Sequence, residues 1–169
     1  NKLLTKNYLS QFSENTAEKI IFPKTYDFKS LNEYKKYLPL VLKPISGGSS
    51  VEINILNNEK DLNNIKDKLF SNEFIVEPLV GNRELTVSVL ENKPLVVTEI
   101  ISKKNFFYDY NSKYSSNGSL HILPAKIPNK IYNKVIKWAK LAHKLLGCSG
   151  ISRSDFRSVS YTHLRAHET

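Results

Sequence analysis

With 169 residues, 40% of them hydrophobic, the chain can bury a core and suits one domain or two small ones, which excludes a disordered class. Its single cysteine, Cys148, excludes disulfide frameworks and cysteine-rich zinc sites, and no apolar run approaches the ~18 residues of a membrane span. The formal charge of +9 raises a nucleic-acid partner, but the lysines are scattered among asparagines and isoleucines with no compact basic run, so neither a nucleic-acid nor a membrane partner is expected. No basic-then-apolar start resembles a secretion signal, and the expected location is the cytoplasm.

In chain order, Lys2-Leu3-Leu4-Thr5-Lys6-Asn7-Tyr8-Leu9 has a helix-like pattern without an initiating Met, which leads to the expectation of missing upstream sequence. Ser30-x-x-Glu33 forms a capping box before Leu31, Tyr34 and Leu38. The run Leu40-Val41-Leu42 reads as a buried strand that delivers Lys43 and Pro44, then breaks into Gly47-Gly48-Ser49-Ser50. Adjacent glycines can take positive φ, so successive backbone N–H groups can line one anion-binding concavity; the serine hydroxyls add donors and Lys43 a point charge. The same strand, lysine and turn also fit an ordinary connection, so the rest of the chain has to decide.

Val51, Ile53 and Ile55 alternate as a strand with one wet face, and Asn58-x-x-Asp61 caps a helix bearing Leu62, Ile65 and Leu69. Phe74-Ile75-Val76-Glu77 is the next strand and residues 78–82 are a hinge, so residues 1–80 form a first α+β unit. Two apolar runs, residues 84–90 and 95–100, flank the turn Glu91-Asn92-Lys93-Pro94 as a β-hairpin. The polar, tyrosine-rich residues 103–118 are too long for an ordinary connection and read as a functional loop. Ile131, Val135, Trp138, Ala142 and Leu145 make the buried stripe of a helix closed by Gly147, and residues 151–156 are a further strand. Residues 81–157 thus form a second unit. Residues 158–169 are set aside as a non-native tail, whose histidines are not ligands.

Four separated motifs follow in order: Val41-Leu42-Lys43-Pro44 with Gly47-Gly48-Ser49-Ser50; Val76-Glu77 with Gly81-x-x-Glu84-Leu85-Thr86-Val87; Phe107-Tyr108-Asp109-Tyr110-x-x-Lys113-Tyr114; and Gly147-Cys148-x-Gly150-x-x-Arg153-x-Asp155-Phe156. This order resembles the D-alanine–D-alanine ligase family of ATP-grasp enzymes, over residues 2–157. Neither a Walker A pattern nor GxGxxG is present. The resemblance implies an α+β ATP-grasp fold, with a central lid subdomain over residues 1–80 and a partial C-terminal catalytic subdomain over residues 81–157. It implies ATP and Mg²⁺ (or Mn²⁺) as cofactors, D-alanine as substrate for peptidoglycan synthesis, and a possible homodimer.

By resemblance, Lys43 and Lys2 contact ATP phosphates; Glu77, with Pro78, Leu79 and Val80, receives the adenine; and Glu84 holds the ribose hydroxyls. Gly47, Gly48, Ser49 and Ser50 form the phosphate loop. Residues 103–118 become the family's closing loop, with Lys113 on the phosphates and Tyr114 bonded to Ser49, while Tyr108 and Tyr110 are structural. Arg153 stabilises oxygen charge during the reaction, and Asp155 is a magnesium ligand. Each role has a plainer alternative: a surface glutamate ending a strand for Glu77 or Glu84, tyrosines pinning a long loop, and a surface ion pair for Arg153 and Asp155. Two residues apart on a strand, Arg153 and Asp155 share a face.

By the resemblance, the sequence departs from the family at Glu52, where glycine is usual, and near Asn111, where a glutamate or similar residue is. It is expected to lack the amino-terminal domain and the strand that completes the magnesium site, so that the fragment itself is inactive. Other readings are an ATP-grasp ligase with a different acceptor, including a D-alanine–D-lactate ligase, which tends to carry histidine in the loop where Lys113 and Tyr114 stand, and a basic nucleic-acid-binding module.

Overall fold

A helix at the start of the chain needs a partner for its first N–H groups, and Asn1 supplies it: its side-chain oxygen accepts from the Leu4 N–H at 3.1 Å and opens α1 (Lys2–Ser13). The computed structural model describes residues 1–14, 16, 19–48, 52–102, 119–158 and 164–167. Among them, no helix is long and apolar enough to cross a membrane.

The smaller sheet holds β1 (Leu40–Pro44), β2 (Asn54–Leu56) and β3 (Phe74–Pro78) in the antiparallel order β2-β1-β3. Three short helices, α2 (Leu31–Lys35), α3 (Glu59–Asn64) and α4 (Lys66–Leu69), serve this sheet. Alternation along the strands sends Leu40, Leu42, Leu56 and Val76 into one core with Tyr34, Leu62 and Leu69. The capping box at α2 is altered: the Glu33 carboxylate accepts from the Ser30 hydroxyl and the Lys29 N–H, and the Ser30 side chain makes no cap bond. The single helix expected after Asn58 is broken at Ile65 (φ −121°), just after two asparagines of poor helix propensity. Leu62 and Leu69 nonetheless stay buried on one side.

The larger sheet contains β4 (Arg83–Leu90), β5 (Lys93–Pro94), β6 (Thr98–Ser102), β7 (Ser119–Ile122), β8 (Ile151–Ser158) and β9 (Leu164–His167). Its order is β7-β6-β4-β8-β9, with β5 also on β4. The return strand of the expected hairpin is not continuous. Leu90 pairs with Lys93, whereas Thr86 pairs with Thr98, so the return chain carries one extra residue, a β-bulge. The offset turns Val97 into the core, where its N–H donates to the Tyr132 hydroxyl and its carbonyl accepts from Ala125.

Against this sheet packs α5 (Asn129–Leu145), whose Ile131, Val135, Trp138 and Ala139 meet Leu85, Val87, Val89 and Phe156. The helix closes in a Schellman arrangement, with Cys148 N–H donating to the His143 carbonyl and Gly147 N–H to that of Lys144. Leu9 of α1 and Ile20, grouped with the first half in the sequence reading, join this larger core. Residues 164–167, set aside in that reading, pair with β8; an open sheet edge accepts any extended backbone because the ladder bonds are made by main-chain groups.

Trp138 is fully buried, yet its Nε1 has no hydrogen-bond partner among the described residues. Trp138→Ala is therefore expected to cost about 3–5 kcal/mol in urea unfolding, while Trp138→Phe, which removes the unpaired N–H and keeps a ring, costs under about 1.5 kcal/mol.

Candidate functional site

The face of the smaller sheet turned away from its short helices carries charge. In the β1–β3 ladder Val41 stands opposite Glu77 and Lys43 opposite Ile75, so Lys43 and Glu77 are diagonal neighbours on one face. Lys43 Nζ lies 2.8 Å from Glu77 Oε2, and both side chains are essentially without solvent contact. From α1, Lys6 Nζ reaches Glu77 Oε1 at 2.5 Å and donates to Thr25 Oγ1 at 2.6 Å. A buried carboxylate is stable only with such partners, and here two ammonium groups meet one carboxylate.

One turn earlier on α1, Lys2 Nζ donates to the carbonyls of Pro44 and Gly47, each at 2.9 Å, while the Lys2 N–H donates to Ile45. This fixes the helix start to the glycine loop. Gly47 has φ +111°, outside the range of L residues, whereas a Cβ at Gly47 or Gly48 would meet open space; backbone conformation rather than crowding calls for glycine at 47. Glu52 has φ +60°, a left-handed value that costs a non-glycine residue about 1–2 kcal/mol.

The larger sheet has the same two-sided character. On β4 and β8 the cross-strand pairs Glu84 with Arg157, Thr86 with Asp155 and Ser88 with Arg153 form one polar row opposite the apolar face. Asp155 accepts from Thr86 Oγ1 at 2.7 Å and is paired by Arg153, whose Nε lies 3.2 Å from Oδ1 and whose Nη2 lies 3.3 Å from Oδ2. Asp155 is buried and Arg153 more than half exposed, so the arginine presents its charge outward from an anchored carboxylate. Buried Arg157 pairs with Glu84 at 3.2 Å. Burial lowers the Arg157 pKa from its usual value, and the Glu84 carboxylate opposes that shift. Between the rows, residues 79–82 join β3 to β4, anchored by Leu79 N–H donating to the Pro39 carbonyl.

The family model for the C-terminus of D-ala D-ala ligase matches residues 11–168. The chain belongs to this D-Ala–D-Ala ligase family. The D-alanine–D-alanine ligase of Bartonella henselae is 42% identical over 124 residues, covering 70% of this chain and 40% of that relative. The crystal structure of the D-alanine–D-alanine ligase from Bacillus anthracis superposes with a TM-score of 0.75 at 26% identity, over 99% of this chain and 55% of that one. The VanG D-Ala:D-Ser ligase of Enterococcus faecalis gives 0.70 at 26% identity, over 99% and 50%. The chain thus spans about half the length of these relatives, and its fold is that of the ATP-grasp ligases.

Of the family's expected residues, the structure seats Lys2 on Pro44 and Gly47 at the end of β1, pairs Lys43 with Glu77 across the β1–β3 ladder, and places Glu84, Arg153 and Asp155 along one row of the larger sheet. Pro78 ends β3, and Leu79 and Val80 lie in the connection. Ser49, Ser50, Lys113 and Tyr114 lie outside the described residues. Among the described residues no group of three or more His, Cys, Asp or Glu could hold a metal ion. Asp155 offers one hard carboxylate of the kind a magnesium ion takes, already engaged by Thr86 and Arg153.

Three participants escaped the sequence reading. Lys6 stands four residues after Lys2, on the same helix face, and Thr86 and Arg157 each stand two residues along a strand from an expected site residue. Those spacings were visible; which element each face would meet was not.

Glu77→Gln strands two buried ammonium groups, and about 3–5 kcal/mol of stability in urea should be lost. Lys6→Met, which leaves Lys43 on Glu77, should lose less than about 2 kcal/mol.

Proposed function

We propose that the whole protein is an ATP-dependent ligase, in the cytoplasm, that joins two D-alanines for peptidoglycan synthesis. ATP phosphorylates the carboxylate of the first D-alanine, giving an acyl phosphate and ADP. The amine of the second attacks the acyl carbon, the C–O bond to phosphate breaks, and the dipeptide and inorganic phosphate leave as the amine loses its proton. No protein nucleophile is required, so positioning and charge stabilisation carry the reaction.

The observation that most supports this reading is Lys2 seated on the glycine loop at the end of the strand that carries Lys43, backed by membership of the family. An ammonium has three N–H donors and can serve a carboxylate and phosphate oxygens together, which suits Lys43. Glu77 with residues 78–80 takes the adenine and Glu84 the ribose. Lys113 and the serines of the glycine loop serve the phosphates, with Tyr114 closing over Ser49. Asp155 would hold Mg²⁺, which when bound would supply neutralisation of phosphate charge. Arg153, exposed and anchored by Asp155, stabilises oxygen charge as the acyl phosphate forms and collapses.

The test is phosphate release by the full-length protein with D-alanine alone, and with D-serine or D-lactate added as acceptor. D-serine enters because a relative with 26% identity is a D-Ala:D-Ser ligase. Release dependent on D-alanine alone is expected, with Arg153→Ala lowering kcat about 100-fold or more and leaving the ATP KM within a few-fold. Turnover only with another acceptor would transfer the reading to that ligase, and equal damage to kcat and ATP KM would contradict the role given to Arg153.

A further inference from the structure

Arg157 has no part in the roles above, yet it is the most fully engaged side chain of the polar row. It is buried, and each of its three guanidinium nitrogens has a different acceptor. Nε donates to the Val80 carbonyl at 3.1 Å, Nη2 to the Gly81 carbonyl at 3.0 Å, and Nη1 to Glu84 Oε2 at 3.2 Å. Two acceptors are main-chain groups of the connection between the sheets; the third is the carboxylate proposed for the ribose. Gly81 has φ +62°, so the connection bends there through a conformation that glycine adopts readily, and its carbonyl is turned to the arginine. A planar fork suits this set because its donors diverge at fixed angles, whereas a lysine ammonium in the same space offers a point charge without that geometry. The ladder explains how the arginine gets there: Arg157 is directly opposite Glu84, so both project from the same face of β4 and β8.

We propose that Arg157 is a positioning residue for the nucleoside half of the nucleotide: it fixes the backbone at Val80 and Gly81, beside the adenine, and the carboxylate rotamer of Glu84, which meets the ribose. The proposal rests on the reading that residues 77–80 and Glu84 receive the nucleoside. It makes β8 serve both ends of the nucleotide, with Arg153 and Asp155 toward the reacting phosphate and Arg157 toward the base and sugar. A purely structural arginine would tie the sheets together without distinguishing nucleoside from phosphate.

Calorimetric titrations of the 169-residue chain and of its Arg157→Lys and Arg157→Gln variants with Mg-ATP, Mg-tripolyphosphate and Mg-2′,3′-dideoxy-ATP separate these roles. The expected result is about tenfold weaker ATP binding in both variants with tripolyphosphate affinity held within about twofold. The dideoxy nucleotide is expected to bind the wild type about fivefold more weakly than ATP, and that penalty should vanish in Arg157→Gln because the ribose contact is already misplaced. If the wild type binds ATP no better than tripolyphosphate, the nucleoside reading fails and the proposal with it. If the wild type prefers ATP and the variants keep that preference, Arg157 alone is misassigned. Arg157→Lys retains the buried charge and can still pair with Glu84, so it carries the comparison should Arg157→Gln fail to fold.

Discussion

Glu77 cannot keep its charge inside the protein without the lysines that reach it, and much of the site's geometry follows from that requirement. Desolvating a carboxylate costs several kcal/mol, recovered only where cations approach closely. Lys43 does so along the sheet and Lys6 from α1, so one carboxylate ties β1, β3 and the first helix together. With α1 held by Lys6, the preceding helical turn brings Lys2 onto the carbonyls of Pro44 and Gly47. The same helix sends Leu9 into the core of the larger sheet. A single helix therefore touches both sheets and delivers Lys2 to the glycine loop.

Both sheets use period-two alternation to separate stability from chemistry. In the smaller, Leu40, Leu42 and Val76 fill the core while Lys43 and Glu77 occupy the other face. In the larger, Leu85, Val87 and Phe156 pack on α5, and Glu84, Thr86, Arg153, Asp155 and Arg157 form the opposite row. The polar residues can thus be arranged for a ligand without opening either core. The four residues 79–82 between β3 and β4 keep Glu77 and Glu84 seven positions apart while moving the chain from one sheet to the other.

Much of this was legible in the sequence, for a physical reason. Strand residues two apart share a face, so Arg153 and Asp155 could be placed together, and the apolar run before Lys43 marked its strand. What failed depended on contacts between elements. Nothing in residues 95–97 announces the bulge that sends Val97 inward, since Leu95, Val96 and Val97 are equally apolar and only the fit to Tyr132 and Ala125 selects one. The break at Ile65 follows from Asn63 and Asn64, a local signal outweighed in the reading by the regular spacing of Leu62, Ile65 and Leu69. Lys6 was placed only on a helix-like stretch, because its partner Glu77 lies seventy-one residues away. Glu52 shows the converse: its positive φ is a backbone feature that the sequence could not display.

The central claim is that Lys43, held on Glu77, serves nucleotide phosphates. Its most direct test is calorimetric titration of Mg-ATP into the 169-residue chain and into its Lys43→Met variant, with the fold of each checked by thermal melting. The account predicts saturable binding to the wild type and a loss of at least about tenfold in affinity for the variant. Equal affinity in the two folded chains, or no binding by the folded wild type, would contradict it.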